Sequence, residues 1–295
     1  MKRLALLALF LVAACGSLGV QAHTISLAYK AGDTYKYRLH IVLNYTIGAS
    51  GMSIPLDLDM SAKETVKVKS VDSSGTADVS IDLTNLSVKT TTNGTTTTTT
   101  TTTPTTIEVK VGKDGRIVSV NGSTIGGGLP TGLSGSEGGI VSAILPDGAV
   151  KPGDTWTKNY DEANVMGSTG SIHITTDNKY LRDEKVSGAN AAVVESKIIT
   201  KMDLKFDMSS LGQGGSSLFP SSGSAGALQS LALGGTTKTD VISWIDAGAH
   251  RIVKSHSTGT LDATMTVNTT SGSATGGFTG PFTFKGTQTL DMNPA

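Results

Sequence analysis

Cysteine is nearly missing from this chain. Cys15 stands alone among 295 residues, so no intramolecular disulfide can form and the fold must be held by burial and hydrogen bonds. Aromatic residues make up only 5%, too few for the two interfacial girdles of an outer-membrane barrel. An excess of either charge is also lacking, since Lys plus Arg and Asp plus Glu each total 24. Basic residues alternate singly with acidic ones and never cluster, which argues against a phosphate-binding surface and against nucleic acid as a partner.

Long apolar runs are scarce too. The longest, Leu4 to Ala14, follows Lys2 and Arg3 and has eleven residues, short of the roughly 20 that a membrane-spanning helix needs. It reads as the core of an export signal, residues 1–14, and Val12-Ala13-Ala14-Cys15-Gly16 behind it reads as a lipobox with Cys15 as the lipidation site. Cleavage after Ala22, where Val20-Gln21-Ala22 has the small-x-small form, is the alternative and would leave a soluble secreted chain. Removing Lys2 and Arg3 with the leader leaves 22 basic against 24 acidic residues. The expected location is the bacterial cell envelope, lipid-anchored to a membrane and facing the periplasm or exterior.

Catalytic signatures are lacking as well. Gly132-Leu133-Ser134-Gly135-Ser136 misses the last glycine of a nucleophile elbow. Gly234-Gly235-Thr236-Thr237-Lys238-Thr239 lacks the glycine that a phosphate loop places before its lysine. The histidines His23, His40, His173, His250 and His256 show no metal-ligand spacing. His40 and His173 fall on polar strand faces. The pairs Asp57/Asp59 and Asp203/Asp207 lie beside Lys63, Lys67, Lys201 and Lys205 and read as solvated faces. Trp156 and Trp244 read as core. No enzymatic activity, metal or cofactor is expected.

What the chain has is alternation. Tyr35, Tyr37, Leu39, Ile41, Leu43, Tyr45 and Ile47 alternate with mainly polar residues, the period of a half-buried strand. Leu56 to Ser70 repeats this with Leu56, Leu58, Met60, Ala62, Val66 and Val68 on one face, and Glu64 is the one violation on that face. Further strands are expected at Ala77–Leu83, Ile107–Val111, Ile172–Thr176, Ala192–Met208, Val241–Ile245, Leu261–Val267 and Phe282–Met292. Glycine-bearing turns at Ser73-Ser74-Gly75, Lys113-Asp114-Gly115 and Ser187-Gly188 separate them. Two short helices, Ile140–Leu145 and Ala225–Leu233, are the only helical candidates. Thr90 to Thr106 has no apolar residue to bury between its threonines and is expected as a flexible or extended surface loop.

Order repeats as well as period. Lys30-Ala31-Gly32-Asp33-Thr34-Tyr35 is echoed by Lys151-Pro152-Gly153-Asp154-Thr155-Trp156, and Gly115-Arg116-Ile117-Val118 by His250-Arg251-Ile252-Val253. The chain therefore divides into a first β half at residues 23–122, a Gly-rich linker with a short helix at 123–150, and a second β half at 151–295, the halves forming one domain. The expected class is mainly β: long antiparallel strands in a curved sheet or half-barrel built from two similar halves, with one or two short helices.

These motifs, Gly32-Asp33-Thr34-Tyr35, Asp114-Gly115-Arg116-Ile117-Val118, Leu145-Pro146 and Gly153-Asp154-Thr155-Trp156, together with the lipobox, make the chain resemble a group of uncharacterised bacterial secreted proteins and lipoproteins. In general layout it is similar to the half-barrel lipoprotein carriers of bacterial envelopes. The resemblance implies a curved sheet around an apolar concavity that in some members holds a lipid or acyl chain, and it transfers no catalytic residue. The Thr tract and Gly/Ser loops depart from that compact layout. Since two short helices cannot cover so many apolar strand faces, the leading expectation is non-enzymatic binding of a lipid or other apolar ligand against Leu39, Ile41, Leu43, Val194, Ile198 and Leu204. A structural or adhesive surface module without ligand is the alternative.

Overall fold

The computed structural model describes residues 22–49, 51–120, 123–124, 144–163, 168–207, 228–269 and 281–295. Fifteen strands and no helix occur among them: β1 (His23–Thr24), β2 (Thr34–Ala49), β3 (Met52–Val71), β4 (Ala77–Thr92), β5 (Thr95–Thr101), β6 (Thr105–Val111), β7 (Ile117–Val120), β8 (Ser123–Thr124), β9 (Ala149–Val150), β10 (Thr155–Ala163), β11 (Thr169–Val186), β12 (Ala189–Asp207), β13 (Leu228–Asp246), β14 (Arg251–Thr269) and β15 (Phe282–Pro294). The export segment, Cys15 included, lies outside the described residues.

One antiparallel sheet takes nearly all of them, in the order β10-β11-β12-β13-β14-β15-β2-β3-β4-β6-β7-β8, with β5 paired to β4. Each half is a meander, and the halves share a continuous sheet because β15 pairs with β2 over thirteen positions, from Phe282↔Ala49 to Pro294↔Tyr37. Gly286 permits this junction: a Cβ there would sit 2.1 Å from the Asn44 carbonyl oxygen and 2.2 Å from Cδ1 of Tyr45.

The sheet is strongly curved. Arg116, beside β7, and Tyr160, in β10, are ten strand-to-strand steps apart in the order, which would separate them by about 48 Å in a flat sheet at ~4.8 Å per step. Instead the Arg116 guanidinium lies 4.4 Å above the Tyr160 ring. Right-handed twist accumulated over many long strands brings the two edges round toward each other. The edges do not hydrogen-bond to one another among the described residues, so the sheet stays open.

At one end of the strands, residues 23–29 and 144–150 cross the opening. β1 pairs with β9 through His23↔Val150 and Thr24↔Ala149. Leu27 N donates to Lys113 O at 3.0 Å, Ala28 N to His250 O at 2.9 Å and Leu145 N to Asp114 O at 2.9 Å. Trp156 Nε1 donates to Ile144 O at 2.9 Å. Ile25, Leu27, Leu145 and Val150 thereby join the main core, each Leu or Ile contributing about 2 kcal/mol by burial.

The duplicated turns share hydrogen bonds as well as letters. In the first, Asp33 N donates to Lys30 O, Gly32 N to Val68 O and Val68 N to Asp33 O; in the second, Asp154 N donates to Lys151 O, Gly153 N to Tyr180 O and Tyr180 N to Asp154 O. Gly32 and Gly153 adopt φ of 92° and 99°, open to glycine and strained for other residues.

Three expectations are corrected. The helix placed at Ala225–Leu233 is replaced from Leu228 onward by strand β13, because Leu231 and Leu233 alternate toward the inner face while Ser230 to Leu233 pair with both β12 and β14. For the candidate at Ile140–Leu145, Ile144 and Leu145 are non-helical and the preceding residues lie outside the described ones. The threonine tract is strand: β4 runs to Thr92, Asn93 and Gly94 make a two-residue turn with φ of 51° and 78°, and β5 returns from Thr95. Two successive positive φ values are what a type I′ hairpin turn needs, and β-branched threonine suits extended backbone even with no core to enter.

Candidate functional site

Side chains of one parity along each long strand meet inside the curve. β2 contributes Leu39, Ile41 and Leu43, and β12 contributes Val194, Ile198 and Leu204; Ile198 packs against the core the other five belong to. All six predicted ligand-facing residues thus share one inner face, although β2 and β12 are four steps apart in the sheet order. At the strand end opposite the crossing segments, Leu58, Leu86, Phe206, Leu233 and Phe284 are only partly buried while still packed on that core.

Polar groups interrupt the inner face, two hydrogen-bonded sets among them. On β11 and β12, Asn178 is 3% exposed and donates from Nδ2 to the Thr176 hydroxyl at 3.0 Å and the Trp156 carbonyl at 3.1 Å, while Ser196 donates to its Oδ1. On the seam between halves, the Tyr45 hydroxyl donates to Gln288 Oε1 at 3.3 Å. These hydrogen bonds offset the cost of taking the groups out of water.

Glu64 is different. It is 1% exposed, on the inner face of β3, and neither carboxyl oxygen has a hydrogen-bond partner. Its cross-strand neighbours are Tyr37 on β2 and Leu83 on β4. Burial without a partner pushes its pKa up to about 8, because the charged form loses its hydration and nothing replaces it. Tyr37 cannot help: its hydroxyl donates instead to Ile252 O at 2.6 Å. Burial also raises the Tyr37 and Tyr29 pKa values, and both feel Glu64 and the opposing charge of Arg251. Arg251 stacks 4.7 Å over the Tyr35 ring. The violation in the Leu56–Ser70 alternation was the sequence signal for Glu64; Arg251 stood in the repeated motif His250-Arg251-Ile252-Val253, but its place beside Tyr35 depends on strands distant in the chain.

The other residues singled out in the sequence sit apart from this face. His40 meets Asp59 at 2.9 Å, His173 meets Asp161, and His256 meets Asp291 at 2.7 Å, all on solvated surface. Lys67 pairs across the strands with Asp82 at 2.7 Å. Trp156 packs on the main core, whereas Trp244 belongs to a second, smaller cluster with Ala191, Val193 and Val253, under the Lys254 ammonium. Among the described residues no three His, Cys, Asp or Glu side chains gather as metal ligands, and no helix is long and apolar enough to cross a membrane.

No family model matches the chain, and no curated protein matches it. Among solved structures it is similar to that of DynF from the dynemicin biosynthesis pathway of Micromonospora chersina, at 9% identity over 94% of this chain and 90% of that chain, with a TM-score of 0.23. At that score the likeness carries no argument about fold detail or activity.

Proposed function

We propose that the chain is an exported lipoprotein, anchored through Cys15 to a membrane of the bacterial envelope, whose curved sheet binds a lipid or other apolar ligand without catalysing a reaction. The observation that carries the reading is the inner face itself. Leu39, Ile41, Leu43, Val194, Ile198 and Leu204 lie on one contiguous apolar surface, and side chains at its far end remain partly uncovered, as an entrance for an apolar molecule requires. The lipobox supports the anchoring half of the proposal, with Ala22 as the cleavage site of the soluble alternative.

Two measurements test it. Mass spectrometry of an organic extract of the purified chain is expected to find a co-purified lipid, and a hydrophobic fluorophore is expected to bind and to be displaced by that lipid. No extractable lipid together with no fluorophore binding rejects the ligand half. Intact mass of the membrane-purified protein is expected to show a chain starting at Cys15 with added diacyl mass, lost in Cys15→Ser. A chain starting at His23 in both rejects the anchor.

A structural or adhesive surface role is the second reading. It is favoured by β5, seven exposed or half-buried threonines that pair with β4 alone among the described residues and leave an edge free for another chain.

A further inference from the structure

The closed end of the sheet holds a cation and an unpartnered carboxyl group close to the same two tyrosines. Glu64 faces inward with both oxygens unsatisfied, and it is the one carboxyl group among the described residues in that state. Such a group is costly to keep unless something completes it, since a buried polar atom without a partner loses about 1–3 kcal/mol. From the crossing segment it faces Tyr29, from β2 Tyr37, and from β4 the apolar Leu83. Arg251, at the start of β14, stacks 4.7 Å over the Tyr35 ring and adjoins Ile252, whose carbonyl oxygen holds the hydroxyl of Tyr37, the cross-strand partner of Glu64.

Arg251 makes no ion pair among the described residues. The nearby acids are engaged otherwise. Asp33 accepts from the Tyr35 hydroxyl at 2.6 Å, and Asp246, the cross-strand partner of Arg251, accepts from Gly248 N and Ala249 N. Arg251, half-buried at this end, therefore keeps its guanidinium without a direct carboxylate partner among the described residues. While it holds its proton, Glu64 offers a carboxyl O–H as a donor directed inward.

Resting on the proposed binding of an apolar ligand, we infer that Glu64 and Arg251 form the head-group site for the carboxylate of a single-chain fatty acid whose tail lies along the inner face. The guanidinium supplies the opposite charge. Neutral Glu64 donates its proton in a hydrogen bond to the carboxylate and is thereby satisfied. An amine head group would meet Arg251 as a like charge, and an alcohol would leave the charge of Arg251 unanswered.

The test uses the full chain and three ligands of one tail length: palmitate, the corresponding alcohol and the corresponding amine, each displacing a hydrophobic fluorophore. Palmitate is expected to bind at least about tenfold tighter than the alcohol, a typical worth for a charge-assisted contact, and the amine weakest. Arg251→Gln is expected to remove most of the palmitate advantage while leaving the alcohol nearly unchanged. Palmitate affinity is expected to fall as pH rises above about 8, and Glu64→Gln, which keeps a donor and cannot ionise, is expected to abolish that fall. Equal binding of acid and alcohol, or preference for the amine, overturns the head-group assignment and leaves ligand binding standing; this comparison needs no variant to fold. Failure of all three ligands rejects ligand binding and the assignment together.

Discussion

Tyr37 and Glu64 are direct partners across β2 and β3, yet they do not hydrogen-bond. The tyrosine hydroxyl is committed to Ile252 O, which ties the first half of the sheet to the start of β14 and leaves the carboxyl alone in apolar surroundings. The unsatisfied carboxyl links the topology of the chain to its chemistry, because the bond that engages Tyr37 runs between strands of the two halves.

Glu64 makes stability fall with rising pH. The folded chain holds its proton up to about pH 8, whereas the unfolded chain releases it near the ordinary value of 4.5, so between these values the folded state binds more protons and loses stability as pH climbs. At pH 7 this amounts to about 3 kcal/mol. Glu64→Leu is expected to be more stable than the parent at pH 7 and to lose that advantage toward pH 4.5, measured by urea denaturation across the range. Parallel curves for the two proteins would contradict it.

The junction between halves depends on a missing side chain. Gly286→Ala puts a methyl group where Asn44 O and Tyr45 already stand, so β15 must shift from β2, at a cost of about 2–3 kcal/mol. Gly148→Ala, with nothing within 4 Å of its new Cβ, serves as the control. Thermal melts are expected to separate the first from the second and to leave the control near the parent.

Trp156 holds the crossing segment through its indole N–H. Trp156→Phe keeps an aromatic ring against the core and removes the bond to Ile144 O, for an expected loss of about 1–2 kcal/mol. Hydrogen exchange is expected to quicken first in residues 144–150. A uniform change across the sheet would show that the indole acts only as core volume.

The threonine hairpin depends on its turn. Replacing both Asn93 and Gly94 with alanine puts two residues of poor positive-φ tolerance at φ of 51° and 78°, which is expected to raise amide exchange in Thr95–Thr101 while changing global stability little, since β5 joins no core. Unchanged exchange would mean that pairing to β4 alone sets the hairpin.

Much of the sheet was readable from alternation, and the misreadings share a cause. The strand at Tyr35–Ile47 was found nearly whole because a two-residue period survives in the sequence as letters, and β2 extends it only to Thr34 and Ala49. At the start of β13 Gly and Ser dilute the period and the letters favour helix, and the threonine tract favours loop because its strand buries nothing. In both places extended backbone is held by neighbouring strands, which a local window does not contain. The inner face divides the same way: that the six apolar residues share it followed from parity, and Glu64 stood out only as a break in it.

By itself the sequence determined the strands whose alternation is strong, such as Tyr35–Ile47, the turns at Gly32 and Gly153, and which side chains share a face, since side-chain direction alternates with each residue of extended chain whatever lies nearby. The tertiary structure alone decided that β15 joins β2, that the edges curl until Arg116 covers Tyr160, and that Glu64 has no partner while Arg251 comes near the same tyrosines. Those relationships depend on twist summed over many strands and on contacts between residues far apart in the chain, and neither is encoded in any short stretch of it.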